Sequence, residues 1–182
     1  MRLFNFLKPK NSNGQNVLMD NLKQCKMTRI DNLDTLLSSE DKNGSVIELD
    51  NFIGDLCSYG YDMEKLTEPQ KQFYYNQCLE REVNNGGFSL YFFNGSGDFA
   101  HQTIHSLRAI GANTTAEILQ MAIDQFPEKI VPQDRTKRQE ILEQIKDTTV
   151  PIWEKLEQKF FEYQDDLNIL NLNFVGQHTN DF

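Results

Sequence analysis

From Leu66 to Asp98 the chain reads LTEPQKQFYYNQCLEREVNNGGFSLYFFNGSGD, and this stretch decides the fold. Thr67 with Gln70 three residues later is a capping box, in which each side chain satisfies a free backbone N–H at a helix start. Pro69 falls in the first turn, where its missing N–H costs nothing. At 100° per residue, Tyr74, Tyr75, Cys78, Leu79 and Val83 then share one broad apolar face. Asn84-Asn85-Gly86-Gly87 ends the helix, because Asn and Gly tolerate the left-handed conformation of a helix exit. Phe88, Tyr91 and Phe92 should anchor the short piece up to Phe93 in the core, as the far side of an inter-helix corner. Asn94-Gly95-Ser96-Gly97 reads as a turn, with Asp98 capping the next helix.

Helical periodicity extends on both sides. Ser45 and Glu48 form a second capping box, after which Val46, Leu49, Phe52, Ile53, Leu56 and Cys57 fall on one face and Gly60 is a stop. Beyond Asp98, the residues Phe99, Ala100, Thr103, Ile104, Leu107 and Ile110 face the core up to Gly111. Thr114 with Glu117 opens a helix that runs to Phe126-Pro127. Asp134 starts another, with Ile141, Leu142 and Ile145 inward. A last long helix is expected from Pro151, where Ile152, Trp153, Leu156, Phe160, Tyr163 and Leu167 cluster within roughly 100°. Residues 168–175 alternate like a strand, but no second strand exists to pair with, so a continuing or broken helix is the reading. The expectation is an all-α fold: one compact domain of about seven helices over 17–182, behind a flexible basic leader over 1–16.

A chain of 182 residues can bury a core without staples. Cys25, Cys57 and Cys78 are far apart and odd in number, which is neither a disulfide framework nor a zinc spacing. The apolar run at Leu3–Leu7 is shorter than a secretory core, and nothing approaches the ~20 apolar residues of a membrane span. A cytoplasmic protein that neither spans nor binds a membrane is expected. The net charge of −9 is unevenly placed: residues 1–30 carry +5, residues 31–68 carry −8 and residues 134–182 carry −4. A body of that sign repels nucleic acid and attracts basic proteins.

The strings Glu82-Val83-Asn84-Asn85-Gly86-Gly87-Phe88, Tyr91-Phe92-Phe93-Asn94-Gly95-Ser96-Gly97-Asp98, Ile110-Gly111-Ala112 and Phe126-Pro127 occur in that order. Together they resemble the bacterial DNA-mimic protein family, over about a third of the chain between Leu66 and Pro127. That resemblance implies an all-helical fold, frequent homodimers, and display of carboxylates in place of DNA phosphates to block a transcription factor. It does not carry the mimic's contact residues onto this chain, since the matching positions are glycines, aromatics and caps.

Carboxylates on a helix at i, i+3 and i+7 step by about 4.5–6 Å, a coarse imitation of phosphates spaced about 3.4 Å along a strand. Glu140, Glu143 and Asp147 share one outward stripe, and Glu154, Glu162 and Asp165 lie opposite the Trp153 face. Asp50 and Asp55 belong to the segment of densest charge. Lys137, Lys146, Lys155 and Lys159 interleave with these acids, as they do on any solvated helix. The leading reading is a non-enzymatic binding protein without cofactor, whose partner is a basic DNA-binding protein; a basic toxin neutralised by an immunity protein is the related variant.

Glu82 is the odd member of the motif, a carboxylate in the middle of an apolar face, where desolvation demands a partner. The N–H groups of Gly86, Gly87 and Phe88 and the side chain of Arg108 are the candidates, making Glu82 a clamp on the Gly-Gly turn. The rival reading is a general base or metal-dependent site joining Glu82 to His101 and His105, which stand at i and i+4 without the Glu of an H-E-x-x-H pair. A phosphate at the 94–98 turn is disfavoured because Asp98 at the cap would occupy the N–H donors.

Overall fold

The computed structural model describes residues 30–182, so the proposed leader over 1–16 lies outside the described residues. Its longest feature begins as the sequence predicts. The Thr67 hydroxyl accepts the Gln70 N–H at 3.3 Å and the Gln70 side chain accepts the Thr67 N–H at 3.0 Å. Seven α-helices occur among the described residues, in this order: α1 Leu33–Ser38, α2 Lys42–Leu56, α3 Glu68–Phe93, α4 Ala100–Ala109, α5 Asn113–Ile123, α6 Arg135–Phe160 and α7 Leu167–Gln177. No strand occurs among the described residues, and residues 168–175 lie inside α7.

The Gly-Gly corner is a break inside α3. Gly86 (φ −169°, ψ 23°) and Gly87 (φ 72°, ψ −171°) leave helical geometry for two residues, and helix resumes at Phe88. Of the two, only Gly87 has the positive φ that other residues avoid. The one helix serves two cores, changing from one to the other between Cys78 and Leu79, ahead of the break. Phe73, Tyr74 and Cys78 pack with Leu49 and Ile53 of α2, Leu172 and Val175 of α7, and Phe182. Beyond them, Val83, Phe88, Tyr91 and Phe92 pack with Leu107 of α4, Leu119 of α5 and Trp153 and Phe160 of α6. The Trp153 indole N–H donates to the Ala122 carbonyl at 3.1 Å, so the largest buried side chain is also satisfied. A polar seam joins the cores: Asn76 donates to Asn171 at 3.0 Å and accepts from Ser106 at 2.6 Å, all three buried.

Several predicted boundaries move. Helix α2 starts at Lys42, capped by Asp41 on the Gly44 N–H, because Ser45 is buried and its hydroxyl donates to the carbonyls of Leu36 and Asp41. Asp98 does not cap α4; it lies in a 3-10 turn over Gly95–Phe99 and faces α6. Helix α5 carries no capping bond from Thr114, its Thr115 N–H being taken by Asp165. Asp134 does cap α6, but α6 runs unbroken through Pro151 to Phe160 where two helices were expected.

Candidate functional site: an acidic helix face and a cleft beside the motif turn

The motif residues hold two turns against α6. At the first, Glu157 rather than Glu82 clamps the corner, accepting the Phe88 N–H at 2.8 Å. Asn84 and the Tyr163 hydroxyl exchange hydrogen bonds at 2.9 and 3.0 Å, and Asn85 and Gly86 are exposed. At the second turn, Arg138 is fully buried and donates to the carbonyls of Phe92 (2.6 Å), Asn94 (2.8 Å), Pro132 (2.6 Å) and Gln133 (3.2 Å) and to the Asp98 carboxylate. A Cβ on Gly97 would stand 2.7 Å from Arg138 Nε and 2.8 Å from the Phe92 carbonyl, which is why glycine occupies that position. The sequence reading missed Arg138; its signal was a place on the buried arc of α6, one turn before Leu142.

Glu82 turns away from the Gly-Gly corner. Its oxygens accept from Asn94 Nδ2 at 2.9 Å and Ser96 Oγ at 3.2 Å, and Arg108 is exposed. Glu82 lines a cleft of about 540 Å³ between α3, the Tyr59–Tyr61 turn and the 94–98 turn, and Arg108 does not line it. His101 and His105 are exposed on α4, and His101 Nε2 accepts the Val131 N–H at 3.2 Å. Neither histidine lines that cleft, and no group of three His, Cys, Asp or Glu among the described residues could hold a metal. The rival Glu82–His101–His105 constellation is therefore not assembled.

The acidic candidates divide by what already holds them. Asp50 is half-buried and paired with Arg81; burial raises its pKa more than the guanidinium lowers it. Asp165 accepts from the Thr115 N–H at 2.7 Å and the Thr115 hydroxyl at 3.0 Å, so it caps α5. Asp55, Glu140, Glu143, Asp147, Glu154 and Glu162 are exposed. Because α6 is continuous, Glu140, Glu143, Asp147 and Glu154 fall within about 60° of one another at 100° per residue. They lie opposite the arc buried through Arg138, Leu142, Thr149, Trp153, Leu156 and Phe160. The stripe rises about 21 Å from first to last carboxylate. Lys146 pairs with Glu143 across i, i+3, on the stripe's edge. One further carboxylate went unread in the sequence: Glu80, whose pKa burial raises to about 6, with Asp166 and Asp50 adding to the effect and Gln77 opposing it.

The family profile of DMP19-like protein matches residues 64–178. The chain belongs to that family. The matched span contains both motif turns, the cleft's motif wall and the whole of α6, and it extends the likeness carried by the Asn-Asn-Gly-Gly-Phe string from a third of the chain to well over half. No curated protein and no solved structure matches. No helix among the described residues is long and apolar enough to cross a membrane.

Proposed function

We propose that this member of the DMP19-like family is a non-enzymatic acidic binding protein that offers the α6 carboxylates to a basic nucleic-acid-binding protein in place of DNA phosphates. The observation that carries the reading is the single outward stripe of Glu140, Glu143, Asp147 and Glu154 on one unbroken helix. Its length of about 21 Å spans about six phosphate intervals of one strand. Asp55 and Glu162 add exposed charge elsewhere, whereas Asp50 and Asp165 are engaged inside the fold and contribute field more than contact. The partner would be cytoplasmic, as this chain would be, and pairing of two copies would double the row of carboxylates.

The test uses the whole chain as bait for DNA-binding proteins, with duplex DNA as competitor. Capture should weaken steeply with salt, since screening lengths fall to ~8 Å at physiological ionic strength. Duplex DNA should displace the captured protein. Reversing Glu140, Glu143, Asp147 and Glu154 to lysine should abolish capture while leaving the helical circular dichroism unchanged. Undiminished capture by that folded variant would reduce the acidic face to a solubility feature.

A further inference from the structure

The cleft beside the motif turn holds two charges that the fold leaves uncompensated. Of the charged groups around it, Arg81 is paired with Asp50, and Asp98 with Arg138. Glu82 receives hydrogen bonds only from a neutral amide and a neutral hydroxyl, and no ion pair to it forms among the described residues. Arg135 is likewise without a carboxylate among the described residues; it makes two long bonds, to the Phe93 carbonyl at 3.3 Å and Asn94 Oδ1 at 3.4 Å. A guanidinium carries five N–H donors, so most of this one's capacity is open. Asn94 stands between the two charges, its Nδ2 on Glu82 and its Oδ1 under Arg135. Glu82 and Arg135 both line the cleft, and the Asn94 amide, outside its lining, links them.

Four aromatic side chains also line the cleft. Tyr59 and Tyr61 form an exposed rim, while Tyr74 and Phe99 lie deeper with their rings in edge contact, centroids 6.4 Å apart. A carboxylate and a guanidinium bridged by one amide complement a ligand carrying an ammonium and a carboxylate on one carbon. An aromatic surround selects a flat or bulky apolar side chain for that ligand. The volume of about 540 Å³ exceeds what such a molecule needs, leaving room for bridging water.

We propose that this cleft binds a free α-amino acid with an aromatic side chain, its ammonium on Glu82, its carboxylate on Arg135 and its ring against Tyr59, Tyr61 and Phe99. The binding is non-covalent and lies on a different face from the α6 stripe. It neither requires nor excludes the acidic partner.

Titration calorimetry on the full chain with L-phenylalanine as probe tests this, with N-acetyl-L-phenylalanine and L-phenylalaninamide each lacking one charge. Saturable binding of the free amino acid, weakened about tenfold or more by either cap, is the expected result, since each cap removes a charge-assisted hydrogen bond. Arg135→Ala should lose affinity for the free amino acid and for the amide-capped form should change nothing. Its exposed side chain makes this variant safe for folding, and Tyr61→Ala, at an 87% exposed position, is a second such variant that should weaken all ligands together. Glu82→Gln should lose the discrimination against the N-acetyl form. No saturable heat from phenylalanine, tyrosine or tryptophan would overturn the proposal. Equal binding of capped and free forms, or full affinity in folded Arg135→Ala, would overturn it as well.

Discussion

Gly87→Ala tests the account of the Gly-Gly corner. Gly87 sits at φ 72° and ψ −171°, a region essentially reserved for glycine, where a side chain costs about 1–3 kcal/mol. A Cβ there would also lie 2.6 Å from the Glu157 Cδ, inside any permissible contact. Glu157 must then move, and with it goes the hydrogen bond from the Phe88 N–H at 2.8 Å. A hydrogen bond to a charged group contributes about 1.5–3 kcal/mol, so the two effects together come to about 2.5–6 kcal/mol. Against a total stability of about 5–15 kcal/mol that is a large fraction, equivalent to a fall in Tm of about 5–24 °C for a chain of this size.

The assay is urea unfolding followed by far-ultraviolet circular dichroism. Glu157→Ala should be run beside it, since that variant loses only the hydrogen bond and should cost about 1–3 kcal/mol. In the double variant the clash has gone and only the backbone strain is added, so its loss should fall short of the sum of the two singles. A Gly87→Ala loss under about 1 kcal/mol, or strict additivity in the cycle, would refute the coupling of this backbone conformation to Glu157.

Arg138→Met should cost about 3–5 kcal/mol in the same assay, because it leaves the carbonyls of Phe92, Asn94, Pro132 and Gln133 and the Asp98 carboxylate without their shared donor. Arg138→Lys should recover little of that, since an ammonium cannot reproduce the planar fork, and full recovery would refute the geometric argument. Glu80 gives a pH prediction. Its folded pKa, about 6, stands above the ordinary glutamate value of 4.5, so between those values the folded state holds the extra proton and stability falls as pH rises. The penalty at neutral pH is about 2 kcal/mol at most, and Glu80→Gln should raise neutral-pH stability and flatten the profile between pH 4.5 and 6; a less stable Gln variant at neutral pH would contradict it. Salt titration of partner capture should separate Glu140→Lys from Asp165→Lys: the first weakens binding in a folded protein, the second unseats the cap on Thr115 and shows as lost stability.

Local chemistry is legible in the sequence wherever both partners are close along the chain. Thr67 with Gln70, and Asp134 before α6, stand where the sequence puts them because a cap needs nothing beyond its own turn. Ser45 misleads because Asp41 is an equally good cap, and burial of the Ser45 hydroxyl against Leu36, nine residues away, settles the competition. Asp98 misleads for a longer-range reason: a buried guanidinium from α6 reaches it, and nothing near Asp98 in sequence announces Arg138. Glu82 does share its helix face with Tyr74 and Cys78, and all three line the cleft. What periodicity could not supply is what lies opposite that face, which is a cleft and a turn instead of a packed helix. The two cores are likewise visible in the sequence only as apolar faces, since which core a residue of α3 joins depends on the helices packed against it.

The continuity of α6 bears most on the proposed function, and its cause lies in the residues around Pro151. A proline inside a helix removes one hydrogen bond and crowds the carbonyl four residues earlier, here that of Asp147, at a cost of about 3 kcal/mol or more. Pro151 and Asp147 are both exposed, so water can satisfy the orphaned carbonyl and the helix can bend away from the ring without disturbing the core. On the opposite face the buried residues Leu142, Thr149, Trp153, Leu156 and Phe160 keep a helical rhythm straight through the proline. Burying Trp153, Leu156 and Phe160 contributes about 1.5–3 kcal/mol each, which outweighs the local defect. Packing therefore holds one helix where propensity alone would set two. With a break at Pro151, Glu154 would belong to a different axis from Glu140, Glu143 and Asp147, and the row of carboxylates would shorten from about 21 Å to about 10 Å. The same apolar rhythm that builds the core thus sets the length of the charged stripe on the other side.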